Sequence, residues 1–238
     1  MPKKPDHPNL PKLDPKALPQ EEQAECEHLI GNLKALNHFR GRYANALFLL
    51  GECNEANRGR PTVIHPMVRK FASRDMTIGD AEMRHEWRLI AFRDAAQTVY
   101  HFGIVLDGIV KGTHRCPTIL QSVDESKLHE VQPMFEKHFP KSTRMRNAVS
   151  HSGEFLHSPE AKARNKLYYP GEIQLGGDLI LGGIETSPTG SITDTFRMFL
   201  TFKKDVVSIE LSPTKHDQMS SIVDTAYDAF RAHLPESL

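Results

Sequence analysis

The chain has 238 residues, with 30 lysines and arginines against 30 aspartates and glutamates, so its formal net charge is zero. This balance excludes a strongly basic nucleic-acid coat, although it is compatible with a local basic patch. Hydrophobic residues make up 39% of the chain and charged residues 25%, which is ordinary for a globular protein. The length is sufficient for one large domain or two small ones, each with a hydrophobic core.

The N-terminal segment does not have the pattern of a targeting signal. Residues 1–20 contain six prolines among lysines and aspartates, with no apolar stretch. We expect 1–19 to form a flexible or partner-binding arm. No apolar run approaches the roughly 18 residues that a membrane span requires, so no membrane association is expected. Three scattered cysteines form neither a C-x-x-C pair nor a disulfide framework, which predicts a reducing, cytoplasmic location.

Apolar residues recur at helical spacing in two long segments. The first predicted helix begins after Pro19 and ends near Asn57, and Arg40 occupies the one stripe position without a hydrophobic residue. The other positions of this stripe are Leu29, Leu33, Leu36, Tyr43, Leu47 and Leu50. The second helix is predicted over 80–111, with Gly112 as its end. Its apolar stripe is Phe92, Ala95, Val99, Phe102, Leu106 and Ile109.

Two shorter helices follow. One is predicted over 126–138 and contains Pro133, where we expect a kink or a break. The next begins at Arg144, where an upstream serine or threonine can cap it. Four helices joined by short loops predict a helical bundle over 20–158.

The last third of the chain changes to the two-residue alternation of β-strands. Glycine pairs separate short apolar runs, and the clearest two runs, 196–202 and 207–211, are predicted to form a hairpin. A final helix begins at Pro213, and its apolar stripe is Met219, Ile222, Val223, Ala226 and Phe230. The predicted fold class is α+β: an N-terminal helical bundle, then an antiparallel β-meander and a C-terminal helix over 159–238 that pack on the bundle.

The most informative string is RNAVSH at 146–151, on the predicted fourth helix. Asn147 and His151 are four residues apart and share one helical face, where the amide can orient the imidazole. Arg146 lies about 7.5 Å from His151 along the helix axis. The arginine side chain is long enough to span this distance, so both residues can reach the same phosphate. Histidine transfers protons near neutral pH, and arginine supplies a permanent cationic fork for phosphate oxygens. Phosphate binding and proton transfer by these two groups need no metal or other cofactor.

On this string the chain resembles the HEPN superfamily, small four-helix domains marked by Arg-x(4–6)-His on their last helix, often with Asn directly after the Arg. The resemblance covers about 20–158. It implies a metal-independent endoribonuclease that forms a homodimer through the helical bundle and leaves a 2′,3′-cyclic phosphate. It implies three catalytic residues: Arg146 on the phosphate, His151 as acid or base, and Asn147 orienting the histidine or the 2′-hydroxyl.

Members of this family act as toxins, phage-defence effectors or RNA-processing enzymes, and some are inactive binding modules. RNA is therefore the expected substrate, and an antitoxin or a regulatory protein is a further expected partner. Five more polar residues are candidates for the cleft lining. Ser150 and Glu154 form an i,i+4 pair on the fourth helix, and Arg93, Gln97 and Tyr100 form a polar stripe on the second. Either this stripe lines the cleft or it is a solvent-exposed face.

Two other functions stay open at the level of sequence. In a non-catalytic interaction or RNA-binding protein, Arg146 pairs with Glu154 or Glu130, and His151 has a packing or capping role. In a metal-dependent hydrolase, His151, Glu154 and His157 supply the ligands, although the glycine and proline nearby disfavour the regular helix that such a site needs.

Overall fold

The structure is a computed structural model that describes residues 10–55, 80–157, 173–174, 180–181, 191–192, 197–202 and 205–233. For 53–55, 80–85, 151–157 and most strand residues, the description is of the backbone alone. Within these residues the chain is mostly helical with small antiparallel sheets, which confirms the α+β class.

The helices are α1 (Gln20–Glu55), α2 (Asp80–His114), α3 (Pro117–Leu120), α4 (Glu125–His138), α5 (Ser142–His157) and α6 (Pro213–Ala229). The strands are β1 (Ile173–Gln174), β2 (Ile180–Leu181), β3 (Ser191–Ile192), β4 (Arg197–Phe202) and β5 (Asp205–Glu210). None of the helices in the described ranges combines the length and the apolarity of a membrane span.

The chain divides into two compact units, each assembled from separate segments. The first contains the described parts of Met1–Tyr43, Gln97–Arg144 and Pro213–Leu238, and the second those of Ala44–Ala96 and Met145–Ser212. The predicted domain boundary near residue 158 stays a prediction.

Helix α1 buries the apolar stripe that its spacing predicts. Leu29, Leu33, Leu36 and Tyr43 are fully buried, whereas Leu47 is only half-buried. Each fully buried side chain of this kind stabilises the folded state by about 1.5–3 kcal/mol. The stripe also includes Arg40, which is 7% exposed. Its Nη2 donates a hydrogen bond to the Asn37 side-chain oxygen at 2.7 Å, so the buried cation has a polar neighbour on its own helix.

Helix α2 confirms its predicted stripe, since Phe92, Ala95, Val99, Phe102, Leu106 and Ile109 are all buried. It ends at His114, so the predicted end at Gly112 is wrong. The Thr113 hydroxyl donates to the Ile109 carbonyl at 2.8 Å, and the helix continues until the chain turns ahead of Pro117. A single glycine lowers helix propensity without ending a helix whose neighbours are buried.

Helix α4 begins where Asp124 caps it, with the carboxylate accepting from the Lys127 amide at 3.2 Å. It is one continuous helix, so the break that Pro133 predicts is absent, and the alternative of a kink stays a prediction. Pro133 is exposed, so water can reach the turn in which its ring removes a backbone donor. The buried face of this helix consists of Leu128, Val131 and Phe135.

The second unit contains two antiparallel sheets, one of β1 and β2 and one of β3, β4 and β5 in that order. The predicted hairpin is confirmed as β4 and β5, with Met198 opposite Ile209 and both side chains buried. Beside them, Arg197 and Glu210 form an ion pair at 3.0 Å across the strands. Cross-strand pairs of opposite charge stabilise a hairpin by about 0.2–1 kcal/mol.

Helix α6 belongs to the first unit, where it packs against α4. Its predicted stripe of Met219, Ile222, Val223, Ala226 and Phe230 is buried throughout. The Tyr227 hydroxyl donates to the Leu33 carbonyl of α1 at 2.7 Å. The end of the proline-rich segment lies in the same unit, because the Lys12 amide donates to the His233 carbonyl at 2.7 Å and Pro11 is buried. The first nine residues of the predicted arm lie outside the described residues.

Candidate functional site

Helix α5 carries the RNAVSH string, and its first turn follows a strained residue. Lys141 has a φ of 60°, in the left-handed region that costs a residue with a Cβ about 1–2 kcal/mol. The helix begins at Ser142, two residues ahead of the predicted start at Arg144. The left-handed residue is the last of the three residues, 139–141, that connect α4 to α5.

The rotation of α5 is set by its apolar residues. Met145, Ala148 and Val149 are buried at i, i+3 and i+4 spacing. Arg146 and Asn147 are half-buried beside this face, whereas Ser150 is exposed. Arg146, Asn147 and Ser150 are thus at least partly exposed on a helix whose other side is held by packing.

Arg146 and Asn147 are joined directly. The Arg146 Nη1 donates a hydrogen bond to the Asn147 side-chain oxygen at 3.0 Å. The role expected for Asn147 is to orient His151 or the 2′-hydroxyl, and no helical spacing rule predicts this contact with Arg146. Since the amide oxygen accepts from the guanidinium, the amide nitrogen is the end of Asn147 that can donate to a ligand or to the imidazole.

The remaining predicted residues of this helix, His151 and Glu154, lie on α5, but their side chains are outside the described residues. The helical backbone continues through His157, so positions 147 and 151 lie one turn apart on one face. The continuous helix also corrects the expectation that the glycine at 153 disfavours a regular helix there. Among the side chains that the structure describes, no group of three histidines, cysteines, aspartates or glutamates could hold a metal ion.

The predicted polar stripe of α2 is divided between the two units. Arg93 is exposed and belongs to the second unit, whereas Gln97 and Tyr100 are half-buried and belong to the first. The Tyr100 ring meets the His101 ring edge-on, with centroids 5.2 Å apart. In turn, His101 stacks on Phe39 with centroids 5.9 Å apart. These ring contacts restrict the position of the tyrosine.

Tyr100 lines a cavity of about 530 Å³ within the first unit. Its walls come from α2, from α4 and from the segment 139–144. The carboxylates of Asp107 and Glu136 balance the cations of Lys141 and Arg144 around it. Its volume falls in the range of small-molecule sites. No sequence pattern predicted this cavity, because it depends on how helices distant in sequence approach each other.

Comparison of the chain with protein-family models, with curated proteins and with solved structures finds no match. Functional assignment therefore depends on the RNAVSH string and on the geometry of α5.

Proposed function

We propose that this protein is a metal-independent endoribonuclease of the HEPN type that cleaves RNA to a 2′,3′-cyclic phosphate. One observation carries the proposal: Arg146 and Asn147 of the RNAVSH string are accessible and hydrogen-bonded to each other on α5. The same continuous helix includes position 151, one turn from Asn147. The string thus supplies an oriented cation and a titratable group in one short segment.

In this proposal Arg146 binds the phosphate at the cleavage site. Its guanidinium is permanently charged and can donate two parallel hydrogen bonds to phosphate oxygens. The hydrogen bond to Asn147 restricts the guanidinium before RNA binds, so less conformational entropy is lost on binding. A positioned cation stabilises the extra negative charge that develops on the phosphate in the transition state.

His151 performs the proton transfers. The 2′-oxygen of the ribose attacks the adjacent phosphorus, the bond from phosphorus to the 5′-oxygen breaks, and one proton leaves while another is supplied. In a homodimer each chain contributes one His151, so one imidazole accepts the 2′-hydroxyl proton and the other donates a proton to the 5′-oxygen. Histidine is suited to both roles near neutral pH.

The test is cleavage of a mixed pool of tRNA, rRNA and short RNAs in EDTA. We expect cyclic-phosphate ends from the wild type and a loss of about 10²–10⁴-fold in rate for Arg146→Ala and for His151→Ala. Arg144→Ala is the matched control. Arg144 lies on the same helix, and the six residues between it and His151 also fit the Arg-x(4–6)-His spacing. Its activity should stay within a few-fold of wild type.

A chemically modified RNA substrate tests whether the 2′-hydroxyl is the attacking group. RNA that carries a single 2′-deoxyribose at the cleavage position should remain intact, because it lacks the attacking hydroxyl. Cleavage that persists in both Arg146→Ala and His151→Ala contradicts the site assignment. RNA binding without cleavage by a folded dimer favours the non-catalytic RNA-binding function instead.

A further inference from the structure

Two histidines from different helices meet at the surface of the first unit. His114 is the last residue of α2, and His129 lies in the first half of α4. Their ring centroids are 5.7 Å apart, with the ring planes inclined by 35°. Both residues are exposed, so a solvated ion can reach the space between the rings.

The separation of the rings matches the geometry of a shared metal ion. A divalent ion bonded at about 2.0–2.1 Å to one nitrogen of each ring lies roughly 3.2 Å from each centroid. Centroids about 5.2–5.7 Å apart then correspond to a nitrogen–metal–nitrogen angle from roughly 110°, the tetrahedral value, to roughly 125°. The observed 5.7 Å lies at the upper end of this interval. Exposed imidazoles change rotamer on the picosecond-to-nanosecond scale, so small adjustments are available.

The charges around the pair also favour a cation. Arg115, next to His114, forms an ion pair with Glu25 at 2.6 Å. Lys111, one turn before His114, pairs with Asp107 at 2.6 Å. Both neighbouring cations are thus partly neutralised by carboxylates. On α4, Glu130 directly follows His129 and is exposed, which adds negative charge near the rings.

We propose that His114 and His129 form a two-histidine binding site for a divalent transition-metal ion, with water completing the coordination shell. Neutral imidazole binds Zn²⁺, Ni²⁺ and Cu²⁺, and Cu²⁺ binds most tightly, whereas Mg²⁺ and Ca²⁺ prefer oxygen ligands. The bound ion links the end of α2 to α4, and it thereby cross-links the two ends of the intervening segment, which includes α3. It stabilises the folded state because the unfolded chain does not hold the two rings together. The site is separate from RNAVSH and does not depend on nuclease activity.

The first experiment measures thermal unfolding of metal-free protein after addition of ZnCl₂, CuCl₂ or MgCl₂. At a Zn²⁺ concentration roughly 100-fold above Kd, we expect the Tm to rise by about 5–10 °C, whereas Mg²⁺ has no effect. His114→Gln and His129→Gln should each abolish this rise. His38→Gln is the matched control, since His38 is an exposed helical histidine whose described ring contact is with Phe39, and it should retain the rise.

A second measurement detects the ligands independently of stability. The electron paramagnetic resonance spectrum of the Cu²⁺-loaded protein should show two coupled nitrogens, and each glutamine variant should reduce this number. The chain contains 13 histidines, so these comparisons also locate the ion. Rises in Tm that are equal in all three variants overturn the proposal. A rise that His157→Gln alone abolishes also overturns it and moves the site to α5.

Discussion

Arg146 and Asn147 are joined by a hydrogen bond of 3.0 Å, although they are consecutive residues on one helix. Consecutive side chains point about 100° apart on a helix and do not normally face each other. Both side chains must therefore lean toward one another, and Asn147 uses its amide oxygen to do so. This contact assigns Asn147 a positioning role toward the cation of the string, in addition to the role toward His151 that spacing predicts.

Removal of the Asn147 amide should weaken catalysis through Arg146. We expect Asn147→Ala to lower kcat/KM for RNA by about 10-fold, which corresponds to about 1.4 kcal/mol and to the loss of one hydrogen bond. The measurement is steady-state cleavage of a short fluorescent RNA. Thr143→Ala, at an exposed position of the same helix, is the control and should remain near wild type.

A double-mutant cycle distinguishes this positioning role from a general structural one. Binding of an uncleavable 2′-deoxy-substituted RNA is measured for Arg146→Ala, Asn147→Ala and the double variant. If Asn147 acts through Arg146, its substitution has no further effect once the arginine is absent. Additive losses in the double variant would show that Asn147 acts independently.

The candidate site was predictable from sequence where it depends on helical periodicity. The sequence predicts a capped helix that carries the RNAVSH string, and the apolar pair Ala148 and Val149 is indeed buried. The hydrogen bond between Arg146 and Asn147 was not predictable, because i,i+1 pairs follow no periodic rule. The cavity beside Tyr100 was also missed, since cavities form between elements whose approach no local pattern encodes.

Gly103 permits a close approach that alanine would prevent. A Cβ at this position would lie 2.6 Å from the Phe135 ring. That ring is stacked on Phe139 with centroids 5.6 Å apart and lies against Phe102. We therefore expect Gly103→Ala to lower the free energy of unfolding by about 1–3 kcal/mol despite the better helix propensity of alanine. Urea denaturation followed by circular dichroism measures the change.

Gly31→Ala is the matched control, because a Cβ at Gly31 of α1 meets no atom within 4 Å. It should raise the free energy of unfolding by about 0.5–1 kcal/mol. Equal stabilisation by both substitutions would mean that Phe135 moves into the neighbouring cavity at no cost, contrary to the packing described above.

Tyr227 joins the C-terminal helix to the first helix through a buried hydrogen bond. Its hydroxyl donates to the Leu33 carbonyl at 2.7 Å, and burial raises the pKa of Tyr227 to about 12, so the donor stays protonated. We expect Tyr227→Phe to destabilise the protein by about 1–2 kcal/mol and to lower its Tm by about 2–6 °C. Thr225→Val removes an exposed hydroxyl from the same helix and should change stability by less than about 0.5 kcal/mol.

The hydrogen bond between Tyr227 and Leu33 also shows which part of the fold sequence analysis does not predict. The stripes of α1, α2 and α6 were predicted because periodicity reports which face of a helix is buried. Periodicity does not report what covers that face, and Leu33 and Tyr227 are 194 residues apart. Helix ends were less predictable, since Gly112 and Pro133 are local signals that the burial of neighbouring residues overrides.

Because of Cys26, we expect the folded protein to lose stability at alkaline pH. Burial, followed by the nearby Cys116 thiol, raises the pKa of Cys26 from 9.0 to about 11. A raised pKa means that the folded state holds the proton more tightly, so this stabilisation is complete below pH 9.0 and is lost as the pH rises to about 11. The expected loss in free energy of unfolding is about 2–3 kcal/mol.

In a Cys53→Ser background, Cys26→Ala should flatten the dependence of unfolding free energy on pH across this interval. Iodoacetamide should modify Cys26 only under unfolding conditions, and rapid modification of the folded protein at pH 9.0 would contradict the buried thiol.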